Sequence, residues 1–339
     1  MEERGFLDRD LLLTKDGFFF CVLGPIHPPD AVIAYPKYRI DGRGPWRFRG
    51  QPLARVLPEY SMVALVRALE EAVSQNPRYW RHLEAWDIEF TAVPHDLILQ
   101  HFKPEERLAT ILQQPQDPLE ETVAELVMKL SERSDTPPSK FGVTGSLLAG
   151  FHAHISDIDL LVYGQHAFER VRSIFLQVVA PLDPSQLQRF CQSVVRRHPL
   201  RPEDVVLLYR RRKTRGVYRG IRATLHAVKP RSEVRERYGE VRHHALGLSS
   251  FTGEITAEVE PWYTPAVYEA HLETAYGTAE RVLLWESLYA GYPRAGDRVK
   301  GFGKVERITL PSGESLLAVV IGSREASGRD YIRVLSGEP

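Results

Sequence analysis

The distribution of apolar and polar positions predicts that the chain begins with strands. The apolar run Phe18–Leu23 follows the turn signal Asp16-Gly17 and is ended by three prolines. Further short strands are predicted at 31–35, 38–40 and 46–48. Beyond them, apolar residues at helical spacing predict a helix over 61–74, and an alternating pattern predicts a strand over 88–93.

The middle of the chain alternates between helical and strand patterns. Asp117-Pro118 predicts a helix start, because aspartate caps free N–H groups and proline suits the first helical position. We expect a loop over 131–139, which is rich in serine and proline. Other helices are predicted over 104–113, 167–179, 184–195 and 202–209, with strands over 141–143, 157–163 and 217–228.

The C-terminal part returns to strand patterns. Residues 253–260, 266–272 and 281–288 have the pattern of strands or strand boundaries, and clearer strands follow at 298–310, 315–321 and 331–334. Short strands separated by glycine-rich turns predict a small β-barrel-like region. We therefore expect an N-terminal β-rich region with a helix (1–114), a central domain (115–240) and a C-terminal β-rich domain (241–339).

The composition is that of an ordinary globular protein. The 339 residues are 43% hydrophobic and 26% charged, with a net charge of zero, enough for buried cores in two or three domains. No apolar run approaches the roughly 20 residues that span a bilayer, and no signal-peptide pattern is visible. Cys21 and Cys191 lie in apolar segments, which predicts core positions and excludes a cysteine metal site. We expect a cytoplasmic protein that binds no membrane.

Positive charge is concentrated in one segment. Residues 189–242 contain sixteen Lys and Arg against five Asp and Glu, an excess of eleven that the remainder of the chain balances. Such a concentration favours an anionic partner. The alternative interpretation is a solvated, arginine-rich surface.

Residues 142–164, GVTGSLLAGFHAHISDIDLLVYG, hold the candidate chemistry. In a strand, Asp157 and Asp159 point to the same side while Ile158 points into the core. Two adjacent buried carboxylates are costly without a cation, and their oxygens suit Mg²⁺. Upstream, Gly145-Ser146 precedes what looks like the start of a helix, where free N–H groups and a serine hydroxyl bind phosphate. Together these groups predict a site for a nucleoside triphosphate with Mg²⁺.

The order Gly-Ser, ten residues, Asp-x-Asp resembles the signature of the nucleotidyltransferase superfamily that includes DNA polymerase beta. The segments GVTGSLLAG, SDIDLLVYG, LLLTKDGFFFCVLGPIHP and YTPAVYEA also resemble predicted nucleotidyltransferases of archaea and thermophilic bacteria. The resemblance implies an α+β fold with a central nucleotidyltransferase-type mixed sheet, flanked by the two β-rich regions. It assigns Gly145 and Ser146 to the phosphate-binding turn, and Asp157 and Asp159 to the catalytic metal.

One departure from the superfamily pattern concerns its third carboxylate. The superfamily supplies this acid from a later strand, whereas the segment 217–228 contains no Asp or Glu. Thr224 or His226 stands where the acid is expected, with His226 a candidate base. Glu258 and Glu260, two residues apart, are the alternative source of a carboxylate.

Two functions are compatible with this sequence. The first is a Mg²⁺-dependent transferase that moves a nucleoside monophosphate from a triphosphate to a hydroxyl, with RNA favoured over a protein or small-molecule acceptor. Arg219 and Arg222 would then neutralise the triphosphate or hold an RNA backbone. The second is a non-catalytic nucleotide- or RNA-binding protein with a degenerate site. His152 and His154 flank the site as pocket or loop residues, since further zinc ligands are not apparent.

Overall fold

Three β-sheets and seven α-helices make up the part of the chain that the computed structural model describes, residues 4–41, 43–152 and 156–335. The mixed α+β class predicted from the sequence is confirmed. None of the described helices is both long and apolar enough to cross a membrane.

The first sheet is formed by the N-terminal part of the chain. Its strands are β1 (Leu11–Thr14), β2 (Phe18–Val22), β3 (Ala31–Ile40), β4 (Trp46–Phe48), β5 (Gln51–Arg55), β6 (Trp80–Leu83), β7 (Ile88–Pro94) and β8 (Ile98–Phe102). They follow the order β4-β5-β3-β2-β1-β8, with β7 pairing to β3 and β6. Helix α1 (Met62–Gln75) begins where the Ser61 hydroxyl accepts a hydrogen bond from the Ala64 N–H, 3.2 Å away.

Strand β3 corrects the prediction of two strands separated at Pro36. The strand continues through Pro36, and its pairing with β2 shifts between Phe19 and Phe20 at this point. A bulge accommodates proline because the residue that cannot donate a hydrogen bond is taken out of the regular ladder.

The middle part of the chain forms a four-stranded sheet with helices on one face. Its elements are α2 (Pro104–Gln113), α3 (Pro118–Ser134), β9 (Phe141–Val143), α4 (Ser146–Ala149), β10 (Ile158–Tyr163), α5 (Gln165–Val178), α6 (Pro184–Val195), α7 (Pro202–Arg212), β11 (Arg215–Tyr218) and β12 (Ile221–Val228). The order is β11-β12-β10-β9, and β10 runs parallel to β12. Ile158, Leu160 and Val162 share a core with α3 and α5. The alternate residues of β10, starting with Asp159, therefore face the other side.

Two predictions for this middle part are wrong. Helix α3 continues to Ser134 although a loop was expected from residue 131, because the buried Ser134 hydroxyl donates to the Leu130 carbonyl 2.6 Å away. The segment 217–228 is a hairpin and not one strand. Arg219 and Gly220 both have positive φ, 49° and 80°, as a tight two-residue hairpin turn requires.

The third sheet is formed by the C-terminal part of the chain. Its strands are β13 (Arg242–Glu260), β14 (Ala266–Thr274), β15 (Gly277–Leu284), β16 (Arg298–Thr309), β17 (Ser315–Ile321) and β18 (Tyr331–Val334). Because β13 pairs with both β14 and β16, five of these strands close into a ring, which we call the C-terminal barrel. Strand β13 begins eleven residues before its predicted start, since Arg242–Glu254 pair with β16 except at a bulge between Ala245 and Gly247.

The core beneath β10 predicts the effect of one truncation. Leu160 is fully buried between the sheet and its helices, so Leu160→Ala should lower the free energy of unfolding by about 2–5 kcal/mol. Urea unfolding followed by circular dichroism measures this loss. Met128→Ala, on the exposed side of α3 (51% exposed), should cost less than about 0.5 kcal/mol. Equal losses in the two variants would contradict the assigned packing.

Candidate functional site

The two aspartates of the Asp-x-Asp pattern lie at the start of β10, on the face turned away from the helices. The register places Asp159 directly opposite Thr224 on β12. The Thr224 hydroxyl donates to Oδ1 of Asp159 at 2.8 Å, and Nε of Arg222 donates to Oδ1 of Asp157 at 3.0 Å. Both carboxylates are therefore held by the neighbouring strand.

The Gly-Ser turn lies against the second aspartate. The Thr144 N–H donates to the Asp159 carbonyl at 3.1 Å. Gly145 has φ +70°, and a β-carbon built on it would lie 3.3 Å from Oδ2 of Asp159. Glycine suits this position for two reasons: it adopts a positive φ without strain, and it leaves room for the nearby carboxylate. The Ser146 hydroxyl donates to that of Ser156, 3.4 Å away.

Helix α4, which follows this turn, has only the four residues Ser146–Ala149. The sequence predicted a helix start that would present a row of N–H groups and a dipole to a phosphate. One turn of helix supplies little dipole, so a phosphate at this turn would depend on local N–H groups and the Ser146 hydroxyl.

The candidates for a third acidic group lie in different places. Thr224 is beside Asp159, where a carboxylate on β12 would stand. Glu260 pairs with Lys229 at 2.6 Å, and Glu258 accepts from the Ala295 N–H at 3.4 Å. Neither glutamate is among the residues that line the cavity beside Asp159.

That cavity has a volume of about 770 Å³ and lies where the N-terminal sheet, the middle sheet, helices α6 and α7 and the C-terminal barrel meet. Its volume falls within the range of small-molecule sites, roughly 300–1,000 Å³. Thr144, Asp159, Thr224 and His226 line it from the middle sheet. The carboxylate of Asp159 therefore faces a partly open cavity between the parts of the chain.

Seven Lys and Arg side chains and seven Asp and Glu side chains line the same cavity, and Arg9, Lys37, Arg212 and Arg215 are the cations from the N-terminal part, α7 and β11. Arg9 has a carboxylate partner, Asp8, at 3.5 Å. Among the residues that the structure describes, Lys37, Arg212 and Arg215 have no carboxylate within ion-pair distance. Lys37 lies instead over the ring of Tyr60, and Arg215 over that of Phe190.

These cations lie close enough together to change the pKa values of one another and of His226. Burial, reinforced by the charges of Arg215 and Arg9, lowers the pKa of Arg212 to about 9. Burial also lowers the pKa of His226 well below its usual value, and the charges of Arg9 and Arg212 add to this effect. Arg215 is affected in the opposite sense by Asp159 and Asp157, although burial still lowers its pKa. Lys37 differs from them, since, although burial opposes it, the neighbouring Tyr60 raises its pKa. Lys37, Arg212 and Arg215, none with a direct carboxylate partner among the described residues, thus line the cavity that Asp159 faces.

Arg9 and Lys37 were missed in the sequence. Lys37 is almost completely buried although it occurs in the apolar strand β3, and a lone lysine in such a strand is the signal that could have indicated it. Arg9 lies in a loop before β1, where the sequence offers no comparable signal.

The remainder of the basic segment is distributed differently from the prediction. Arg219 lies at the hairpin turn, pairs with Glu125 at 2.7 Å and does not line the cavity. Arg222 pairs with Asp157, as described above. Arg211 forms two hydrogen bonds with Asp297 of the C-terminal barrel, one of 3.0 Å from Nη2 to Oδ1. Several of these arginines therefore form internal contacts and do not make a continuous basic surface.

A second polar cluster adjoins the site, formed by Asp117, Glu120 and His152. Nε2 of His152 lies 2.7 Å from Oδ2 of Asp117, which also caps α3, and Arg107 bonds to Glu120. Although burial opposes it, hydrogen bonds from the Glu120 N–H and His152 keep the pKa of Asp117 low. These contacts give the cluster a structural role at the start of α3. His154, the other histidine of the predicted pair, lies outside the described residues.

Comparison with known proteins finds a similar sequence in an archaeon. It is 25% identical to the uncharacterised protein MJ1086 of Methanocaldococcus jannaschii over 351 aligned positions, which cover 96% of this chain and 98% of the relative. No family model and no solved structure matches the chain. The similarity extends over nearly the full length of both chains.

Arg212 and its neighbour Arg211 can be compared to test whether the charge of Arg212, which has no carboxylate partner, destabilises the free protein. Arg212→Met removes a buried charge without a carboxylate partner and should raise the free energy of unfolding by about 1–4 kcal/mol. Arg211→Met leaves Asp297 without its partner and should lower it by about 1–3 kcal/mol. Thermal and urea unfolding measure both values. Destabilisation by Arg212→Met as large as that by Arg211→Met would show that Arg212 is satisfied within the free protein.

Proposed function

We propose that this protein is a Mg²⁺-dependent nucleotidyltransferase that transfers a nucleoside monophosphate from a triphosphate to a hydroxyl group. Asp157 and Asp159 hold the metal, the Gly145-Ser146 turn binds a phosphate, and the cations of the cavity bind the remaining phosphates. This assignment extends the resemblance of the Gly-Ser and Asp-x-Asp segments to the superfamily.

The proposal rests on one observation: a carboxylate that can bind a metal ion and cations that can bind phosphate line the same cavity. Oδ2 of Asp159 adjoins the Gly145 turn, and Lys37, Arg212 and Arg215 face the same space without carboxylate partners. Buried cations are normally paired, because an isolated buried charge is costly. A triphosphate would supply the missing negative charge, and a metal ion would allow it to lie beside Asp159.

The residues fit a magnesium ion by their chemistry. Asp157 and Asp159 offer oxygen ligands on one face of a strand, and Arg222, which pairs with Asp157, is 65% exposed and free to move aside. When bound, Mg²⁺ supplies charge stabilisation and orientation of the phosphates. The acceptor oxygen forms a bond to the α-phosphorus, the bond from that phosphorus to the bridging oxygen breaks, and pyrophosphate leaves. The hydroxyl proton would pass to a base, for which the neutral imidazole of His226 on the same cavity is the candidate.

Removing the two carboxylate charges tests the metal site. Asp157→Asn and Asp159→Asn should each lower the Mg²⁺-dependent affinity for a triphosphate by at least about 100-fold, because loss of even a supporting contact to a metal ligand costs 10–100-fold. Calorimetry with ATP, CTP, GTP and UTP, each with Mg²⁺ and with EDTA, measures the change.

Asp96→Asn is the matched control for these variants. Its carboxylate is 61% exposed, pairs with Arg78 and does not line the cavity, so triphosphate affinity should be unchanged. Wild-type binding that ignores the metal and both aspartates would contradict the proposal.

A second function is favoured by Thr224. A threonine in place of the third carboxylate suits a non-catalytic protein that binds a nucleotide or RNA through the same residues. Wild-type protein that binds a triphosphate with Mg²⁺, yet releases no pyrophosphate in the presence of a complete cell extract, would favour this alternative.

Arg212 predicts the charge dependence of triphosphate binding. A guanidinium keeps its charge at all working pH values and attracts phosphate. Arg212→Met should therefore bind a triphosphate more weakly than the wild type, by about tenfold for the loss of one charge-assisted hydrogen bond.

Calorimetry with a triphosphate and Mg²⁺ at neutral pH measures this loss. Arg211→Met, whose arginine pairs with Asp297 and does not line the cavity, should retain wild-type affinity. Equal affinity of the Arg212→Met variant and the wild type would contradict the role of Arg212.

A further inference from the structure

The cavity extends beyond the groups assigned to the triphosphate. We define its barrel half by five residues: Trp86, which lies between β6 and β7, Trp285, which follows β15, and His243, Lys304 and Glu306 of the C-terminal barrel. The ring centroids of the two tryptophans are 5.3 Å apart. Indole rings beside polar groups are typical of sites that bind a ring-shaped small molecule.

The polar groups of the barrel half are buried and held in fixed positions. Glu306 accepts from Nδ1 of His243 at 2.7 Å and pairs with Nζ of Lys304 at 2.6 Å. Burial opposes ionisation of Glu306, but the hydrogen bond from His243 and the charge of Lys304 keep its pKa below the usual range. The carboxylate thus stays ionised and fixes the ring of His243.

This arrangement leaves one nitrogen of His243 available. Because Nδ1 donates to Glu306, Nε2 of the neutral ring carries the lone pair and can accept a hydrogen bond. No hydrogen bond from the described residues reaches Nε2, and this atom is accessible to solvent. A hydroxyl group of a ligand in the cavity would take the place of water there.

We propose that the barrel half binds the acceptor, and that this acceptor is a small ring-containing alcohol whose hydroxyl donates to Nε2 of His243. The inference deepens the proposed function and rests on it. It replaces RNA, which the sequence favoured, with a small molecule that shares one cavity with the triphosphate.

The basic segment divides between the cavity and the surface. A nucleic-acid backbone is bound by a series of accessible Lys and Arg side chains. Arg212 and Arg215 face the cavity and Arg211 is paired with Asp297, whereas ten of the sixteen Lys and Arg side chains of the segment, Arg219 among them, are exposed. The case for a small acceptor therefore rests on the indole rings and His243 of the barrel half.

The test asks which molecule receives a label from the α-phosphate of a triphosphate. The full-length protein is incubated with Mg²⁺ and triphosphates labelled at the α-phosphate, together with a cell extract divided by dialysis into small molecules and heat-treated macromolecules. We expect label in a new compound of the small-molecule fraction, absent without protein and with the Asp157→Asn, Asp159→Asn double variant. Label in RNA or protein would overturn the small acceptor while leaving the transferase intact. No label in either fraction would overturn both.

His243 and its neighbour His244 give a matched pair of variants. His244 is 68% exposed on the opposite face of β13 and does not line the cavity. His243→Gln should raise the amount of small-molecule fraction needed for half-maximal labelling by about tenfold, the loss of one hydrogen bond. His244→Gln should leave it unchanged, and triphosphate affinity should be unchanged in both.

Equal behaviour of the two histidine variants would overturn the role of His243. Trp86→Phe serves as a second variant if His243→Gln does not fold, and a raised half-maximal amount with unchanged triphosphate affinity is again expected. A lowered triphosphate affinity in either variant would instead assign the barrel half to the nucleotide.

Discussion

Positive charge without direct carboxylate partners in a partly open cavity is the constraint around which this protein is arranged. Arg212 and Arg215 enter the cavity from the end of α7 and the start of β11, and Lys37 enters from the N-terminal sheet. Each must lose much of its hydration to lie there, and none of the three has a described carboxylate within ion-pair distance, although Asp159 and Asp157 act on Arg215 from farther away. An arrangement that costs stability in the free protein is expected where a ligand supplies the opposite charge. The three parts of the chain are thus linked through a site that no one of them forms alone.

The catalytic question depends on one position of one strand. Thr224 stands opposite Asp159 and donates a hydrogen bond to it, so the neighbouring strand holds the carboxylate without adding a second one. His226, on the same face, is surrounded by cations that favour its neutral form. A neutral imidazole can accept a proton, and a bound triphosphate would raise its basicity by compensating those cations. The chemistry of the site in the free protein therefore differs from its chemistry with an anion bound.

Helix bounds were predicted correctly where the sequence signals lie within one segment. Helices α2 and α6 begin and end where expected, because proline at the first position and apolar periodicity act within one segment. The hairpin of β11 and β12 was missed because its signal is a single Arg-Gly pair within an otherwise continuous apolar pattern. Pro36 was misinterpreted for the opposite reason, since a bulge in β2–β3 pairing absorbs a residue that usually ends a strand. Both errors concern how one strand pairs with another.

The sequence by itself determined the α+β class and the alternation that places Asp157 and Asp159 on one face of β10, since side-chain direction in a strand follows from its period of two. It also drew attention to Gly145 and Ser146. Only the tertiary structure decided which cations line the cavity with Asp159, because Arg9 and Lys37 come from the distant N-terminal part of the chain. It also directed Arg211 into a largely buried ion pair with Asp297 and Arg219 to an exposed pair with Glu125. The direction of a long charged side chain depends on partners from elsewhere in the chain. A count of charges along the sequence does not identify those partners.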